Sequence, residues 1–160
     1  MGSGPSELIL LSAGLIVAAL VSGVLLGTWD DMDDVLDERG RQGAEDVRTR
    51  ASLASDPINI AWDDGSDSAN IYIQNSGDNF LDVNNIGVML HGSDMTVTIP
   101  GGEEEWLPGQ VLKINIDGTA SGLTFSTGNH DVQLSFTVIS TATGYTGMDT
   151  VTEEVRIVAP

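Results

Sequence analysis

The chain of 160 residues carries 24 acidic residues against six basic ones, a formal net charge of −18. Such a charge repels nucleic acid and anionic lipid head groups, so we expect neither as a partner. The absence of cysteine excludes a disulfide framework and thiolate chemistry. Lys113 is the only lysine. This composition predicts a halophile protein, because salt near 1 M shortens the Debye length to about 3 Å and weakens self-repulsion; the alternative is an ordinary acidic protein.

Residues 8–29 form an uncharged segment of 22 residues, long enough as a helix to cross a hydrocarbon core of about 30 Å. A buried core helix is the first alternative, but a chain with 5% aromatic residues offers little to surround one. A cleaved signal peptide is the second, but no basic residue precedes Arg39 and residues 25–29 lack a small-residue cleavage pattern. The segment therefore predicts a retained helix in a membrane or a filament core.

The charge distribution gives only a weak indication of orientation. Residues 30–50 hold eight acids and four arginines, residues 51–160 hold fifteen acids and two bases, and only Glu7 is charged before the helix. Because basic residues are rare on both sides, the positive-inside rule decides little. We expect a single pass through the cytoplasmic membrane, a cytoplasmic N-terminus, and an acidic domain on the extracellular side.

Helical periodicity continues after the apolar segment, from residue 30 to residue 54. A narrow stripe of small and apolar residues recurs every three or four positions: Leu36, Gly40, Gly43, Val47 and Ala51. Asp37 with Arg41 and Asp46 with Arg50 are predicted i,i+4 ion pairs. Pro57 ends the helix, because the residue before a proline is disfavoured in the helical region. Residues 1–56 are thus the predicted membrane and assembly helix.

Residues 57–160 read as a β domain. Apolar residues alternate with polar ones in short runs separated by turn clusters: Ile58 and Ile60; Ile71 and Ile73; Val97 and Ile99; Leu112, Ile114 and Ile116; Val132, Leu134, Phe136 and Val138; Val155 and Ile157. Six to eight such strands predict an antiparallel, immunoglobulin-like β-sandwich. The fold class is therefore α+β, and we expect Leu134 and Phe136 in the core.

Catalytic and metal-binding patterns are not found in the sequence. His91 lies in a predicted turn and His130 at the start of a predicted strand, and neither has a cysteine or a Gly-x-Ser-x-Gly nucleophile to act upon. The acidic run at residues 63–67 lacks the spaced aspartates and closing glutamate of a calcium loop. We predict a protein that is not an enzyme, with no cofactor, no metal site and no small-molecule substrate.

The apolar helix carries residues suited to assembly. Gly23 and Gly27 form a small-xxx-small step that permits close approach of a second helix, and Gly14 and Ala18 extend the set of small residues. Glu7 lies at the edge of the apolar segment, where a carboxylate is costly to bury unless it meets a cation. If the chain began at Ser3, Glu7 would be its fifth residue, the position where type IV pilins carry a glutamate that meets a neighbour's terminal amine. An interfacial acid in contact with water is the alternative.

Several short segments resemble the archaellum stator protein G of haloarchaea, within the archaeal type IV pilin-like family. They comprise residues 37–40, 44–49, 55–57, 71–77, 106–112 and 128–132. The related stator protein F and the archaellins share several of them, and residues 45–49 favour G. Residues 141–147 depart from a short G-type ending.

The resemblance implies a mechanical function without chemistry. It predicts a membrane-anchored, filament-forming scaffold between the cytoplasmic membrane and the S-layer, which associates with itself, with a protein F-like partner and with the S-layer. The alternative is a type IV pilin or archaellin-like subunit of an external helical filament. A prepilin peptidase would have to cleave such a subunit, and the residues before the apolar helix include no basic residue for it to recognise.

Overall fold

A computed structural model describes residues 3–141 and 143–160. One α-helix and eight strands follow in order: α1 Ser3–Arg48, β1 Ala51–Leu53, β2 Ile60–Asp63, β3 Ser68–Asn75, β4 Gly87–Leu90, β5 Ser93–Thr98, β6 Val111–Asp117, β7 Gly128–Ile139 and β8 Met148–Ala159, with a 3₁₀ turn at Thr119–Ser121. The prediction of a long apolar helix followed by a β domain is confirmed, and the fold class is α+β.

The chain forms two compact units, Met1–Arg41 and Gln42–Pro160. The boundary falls within α1, so the last two turns of the helix belong to the same unit as the strands. The predicted functional division between residues 56 and 57 stays a prediction.

The β domain is a closed barrel, not the predicted antiparallel sandwich of two separate sheets. Its seven strands run β3-β2-β8-β7-β4-β5-β6 and return to β3, while β1 adds to the edge of β3. The pair β2–β8 is parallel and the others are antiparallel. Two strands close the barrel by changing partners along their length. β2 pairs with β8 through Ile60 and Ala61 and then with β3 through Trp62 and Asp63, and β5 passes similarly from β4 to β6.

Closure has a physical reason, because strand edges left open present unpaired N–H and C=O groups. The core lies inside the barrel, where alternate residues of β3, β6, β7 and β8 interdigitate. Leu134 and Phe136 are fully buried there, as predicted. Ile58 is not in a strand and is 67% exposed, because its N–H bonds to the Asp56 side chain in a turn before β2 begins.

The helix ends at Arg48, whereas the sequence predicts helical periodicity to residue 54 and an end at Pro57. Ala51 fits the helical spacing but begins β1, which pairs with β3. The carbonyl of Arg50 accepts hydrogen bonds from the N–H groups of Ser76 and Gly77 at 3.0 and 3.1 Å. Non-local strand pairing therefore overrides the local helical pattern at residues 49–54, and the predicted end at Pro57 is wrong.

The segment after residue 140 completes the barrel. β8 pairs with all twelve residues of β7, from Gly128 opposite Ala159 to Ile139 opposite Met148. It also forms the parallel contact with β2. The residues that depart from the expected short ending thus lead into a central strand.

Candidate assembly site

The apolar part of α1 is exposed in the single chain. Its large side chains from Leu8 to Trp29 are each more than half exposed. Among the residues that the structure describes, α1 is the one helix long and apolar enough to cross a membrane. An exposed apolar surface of this extent requires cover from lipid or from other protein chains.

The five predicted assembly residues all lie on α1, but they fall on two faces. With about 100° of rotation per residue, Glu7, Gly14 and Ala18 lie within about 40° of one another. Gly23 and Gly27 lie on the nearly opposite side. A methyl group added to Gly14, Gly23 or Gly27 would meet no atom within 4 Å. One neighbouring helix therefore cannot contact all five residues, and their role in assembly stays a prediction.

The two predicted ion pairs on the polar part of the helix have different outcomes. Asp37 and Arg41 form their pair at 3.6 Å, with both side chains well exposed, so it adds little stability. The predicted pair of Asp46 with Arg50 is wrong, since Arg50 lies beyond the end of the helix. The Asp46 carboxylate instead accepts from the Gln42 amide at 3.1 Å and from the Met148 N–H at 3.0 Å.

Further hydrogen bonds join the last helical turns to the barrel within the second unit. The Asn79 amide donates to the Glu45 carboxylate at 2.7 Å and to the hydroxyl of the fully buried Thr49 at 3.2 Å. The Asp149 carboxylate accepts from the Ala51 N–H at 2.9 Å. Residues from the helix end, the β3–β4 loop and the start of β8 thus form one polar cluster, which we call the helix junction.

Asn75, at the end of β3, extends the helix junction from Asn79 to Trp106 and belongs to it. Its buried side-chain amide donates to the carbonyls of Asn79 and Trp106 at 2.8 and 3.2 Å, and its side-chain oxygen accepts from the Gly77 N–H at 3.1 Å. Its backbone carbonyl accepts from the Gly109 N–H at 2.7 Å. Every polar group of the side chain is satisfied in a place where an unpaired one would cost about 1–3 kcal/mol.

Three of the segments that carry the sequence resemblance meet at this place. They are residues 44–49, 71–77 and 106–112, which lie far apart in the chain and share Asn75 and Asn79 as hydrogen-bonding centres. Sequence reasoning singled out these segments but did not predict that they would meet. The one signal in the sequence is an asparagine at the end of an apolar strand, followed by a Ser-Gly turn.

Two glycines allow the backbone to approach the helix end closely. A methyl group on Gly77 would collide with the carbonyl oxygen of Arg48, and one on Gly147 would collide with the Thr49 hydroxyl and the Glu45 carbonyl oxygen. Both glycines are therefore required by packing against the helix end.

The histidines lie away from the helix junction. His91 is exposed in the β4–β5 turn with a positive φ of 53°, and the His130 ring bonds to the Ser126 carbonyl at 2.7 Å. These positions agree with the predicted turn and strand start. Nearby, the Arg156 guanidinium holds the pKa of the Asp131 carboxyl below its usual value through hydrogen bonds of 2.6 and 3.1 Å.

Chemical sites are not apparent in the described ranges. No group of three histidine, aspartate or glutamate side chains is placed to hold a metal there. An open surface cleft of about 440 Å³ lies beside His91 and His130. The described residues thus provide an exposed apolar surface on α1 and the hydrogen-bonded helix junction.

A long exposed apolar helix leading into a polar β-barrel defines a structural subunit of the type IV pilin-like class, which works by assembly. The chain belongs to the archaeal-type flagellin family, whose model matches residues 2–140. It is accordingly a structural, non-enzymatic component of archaellum-type machinery. No curated protein sequence matches the chain. The family match ends just before the last strand, so β8 belongs to this chain's barrel but lies outside the matched region.

Proposed function

We propose that the chain is a stator-type scaffold of the archaellum, anchored in the cytoplasmic membrane by α1 and reaching towards the S-layer with its barrel. The observation that carries this proposal is the meeting of residues 44–49, 71–77 and 106–112 at the helix junction. These are three of the six segments that resemble the G-type stator protein, and residues 45–49, which favour G, lie among them. A scaffold under load needs a firm attachment at the point where its helix enters the β domain, and the helix junction supplies buried and charge-assisted hydrogen bonds between the last helical turns and the barrel.

The barrel would then lie on the extracellular side, in contact with a protein F-like partner and the S-layer. The fifteen acids and two bases of residues 51–160 suit a high-salt exterior, where repulsion is screened. Self-association through α1 would bury the apolar side chains and bring small residues into contact with neighbouring helices.

A second function, the subunit of an external helical filament, is favoured by the two faces of small residues on α1. A helix in a filament core touches neighbours on several sides, and the residues at 14 and 18 and at 23 and 27 offer two opposite faces for close contact.

Deletion of the gene in the native cell separates the two functions. A stator is expected to leave archaella on the cell surface while swimming stops, and sheared filaments should lack the chain. Loss of all filaments, together with recovery of the chain as the main protein of sheared filaments, would contradict the stator proposal. Complementation with the unchanged gene is the control.

A further inference from the structure

Lys113 lies in an unusual setting for a cation in this chain. It is one of two basic residues within residues 51–160, which also hold fifteen acids. The other, Arg156, forms a salt bridge with Asp131 at 2.6 Å. Lys113 forms no salt bridge and no side-chain hydrogen bond within residues 3–141 and 143–160.

Two acids border the strand pair around Lys113: Asp56 lines a cleft with Asn70 and Tyr72, and Asp117 is the last residue of β6. Lys113 lies on the outer surface of the pair β3–β6, directly opposite Tyr72. We call this surface the lysine face, and it consists of Asn70, Tyr72, Gln74, Val111, Lys113 and Asn115. The first acid along β6 is Asp117, at the end of the strand and opposite Ser68. Among the six residues of this face, Lys113 is the only charged one.

The lysine face is also partly apolar. Tyr72 is 43% exposed and Val111 is 47% exposed. A lysine stem covers apolar neighbours while its ammonium group stays at the surface. An exposed aromatic ring, an aliphatic side chain and one unpaired ammonium together suit contact with a carboxylate-bearing protein surface.

We propose that the lysine face contacts an acidic surface of a second copy of this chain. This inference rests on the proposed function, because it requires an assembly of several copies. Charge complementarity supports this occupant: every copy carries abundant acids and one such lysine, so the contact joins two different surfaces. Contacts of this heterologous kind build rings where the rotation between copies closes and open helical arrays where it does not, and each copy uses the same two surfaces.

The lysine face is too small to hold two copies together unless their α1 helices associate first. Three residue pairs on two strands span about 14 Å along the strands. Such a patch lies well below the roughly 1,000 Å² that a stable interface needs on its own. Association of the apolar helices holds the barrels at high effective concentration, where a weak contact between them becomes populated.

The single lysine makes a direct test possible. A zero-length carbodiimide joins carboxylates to primary amines, and the only primary amines are the Lys113 side chain and the α-amino group. Full-length protein, assembled in lipid vesicles in molar KCl, is treated with the reagent and digested, and linked peptides are identified by mass spectrometry. Mixing ¹⁴N and ¹⁵N protein shows whether a link joins two copies. We expect mixed-isotope links from residue 113 to an acidic residue of the barrel.

Variants of Lys113 distinguish the effect of its positive charge from the reactivity of its amine. Lys113→Arg keeps the charge but should lose the link, while barrel–barrel contact, followed by fluorescence transfer between copies labelled at a cysteine introduced on an exposed barrel loop, stays unchanged. Lys113→Gln should lose both. Thr124→Glu changes the net charge by the same amount on an exposed loop and should leave the link and the contact intact.

The outcomes distinguish this inference from the proposed function. The same vesicles are dissolved in detergent, and sedimentation of the released protein shows whether copies associate through α1. Association without any mixed-isotope link from residue 113, or with equal contact in Lys113→Gln, overturns the lysine-face inference and leaves the function standing. Absence of association contradicts both.

Discussion

The Asp46 carboxylate accepts a hydrogen bond of 3.0 Å from the backbone N–H of Met148, which joins the end of the helix to the first residue of β8. The two residues are 102 positions apart in the chain. The helix thus does not run into the barrel through a free linker, because side chains of its final turns bond to two separate parts of the barrel.

Replacement of Asn75 by Asp tests the helix junction. The change keeps the shape of the side chain but places a carboxylate oxygen against the carbonyls of Asn79 and Trp106, which now accept from the amide. Since the site is buried, we expect the free energy of unfolding to fall by about 3 kcal/mol or more. Urea unfolding of the full chain in detergent at molar KCl measures the change. The exposed Asn129→Asp is the control, and an equal effect of both variants would contradict the assigned role.

Gly77→Ala tests the close approach of the backbone to the helix end. The new methyl group would collide with the Arg48 carbonyl oxygen. Overpacking of this kind costs about 1–3 kcal/mol, so the thermal midpoint should fall. Gly87→Ala is the matched control, because a methyl group there meets no atom within 4 Å. If both variants melt like the parent, the helix end is looser than the structure shows.

Local patterns predict the helix and most of the strands, because alternation along β3, β6 and β7 is strong and the core residues Ile71, Ile114 and Leu134 are its direct consequence. β4 is not predicted in this way. Its buried residues Val88 and Leu90 are separated by Met89, which is apolar, so the sequence shows no alternation of apolar and polar residues. Barrel closure depends on the parallel contact of β2 with β8, about 97 residues apart, and local periodicity contains no information on such pairing.

The same limit applies to the candidate site. The predicted assembly residues of α1 can be named from the sequence because small residues in an apolar helix permit close helix contact, although their division between two faces follows only from helical geometry. The helix junction is not predictable, since Asn75 and Glu45 become partners of the same loop only after the barrel has formed. Short motifs in the sequence identify the segments of the helix junction but do not predict that these segments lie together.

Phe136→Ala should destabilise the barrel by about 3–5 kcal/mol, because the ring is 1% exposed and its removal leaves a cavity in the core. The denaturant midpoint in molar KCl reports the loss. Ser135→Ala, one residue away on the outer surface, should change stability by less than about 1 kcal/mol. A small effect at Phe136 would mean that β7 faces the other way.

The ion pair of Asp131 with Arg156 predicts a pH dependence of stability. The Arg156 guanidinium lowers the pKa of the Asp131 carboxyl in the folded chain. A lowered pKa stabilises the fold above the ordinary aspartate value, and that contribution is lost as the pH falls below about 4 through the folded pKa. Asp131→Asn should therefore show a shallower loss of stability on acidification than the parent. The exposed pair makes the effect small. Asp64→Asn is the control, and parallel acid profiles of parent and Asp131→Asn would contradict the prediction.

Assembly through α1 gives the last prediction. Gly23→Leu combined with Gly27→Leu should block close helix contact on one face, while the barrel stays folded because no barrel residue is changed. Gly14→Leu combined with Ala18→Leu tests the opposite face, and Leu15→Ile with Leu20→Ile is the control for altered apolar surface. Size-exclusion chromatography with light scattering in detergent measures the size of the assembly, and circular dichroism checks the barrel. If two neighbours are needed, each double variant should reduce large assemblies to small ones, and the combination of both should give monomers. If all variants assemble and support swimming as the parent does, the helix is only an anchor, and the contacts that matter lie on the barrel.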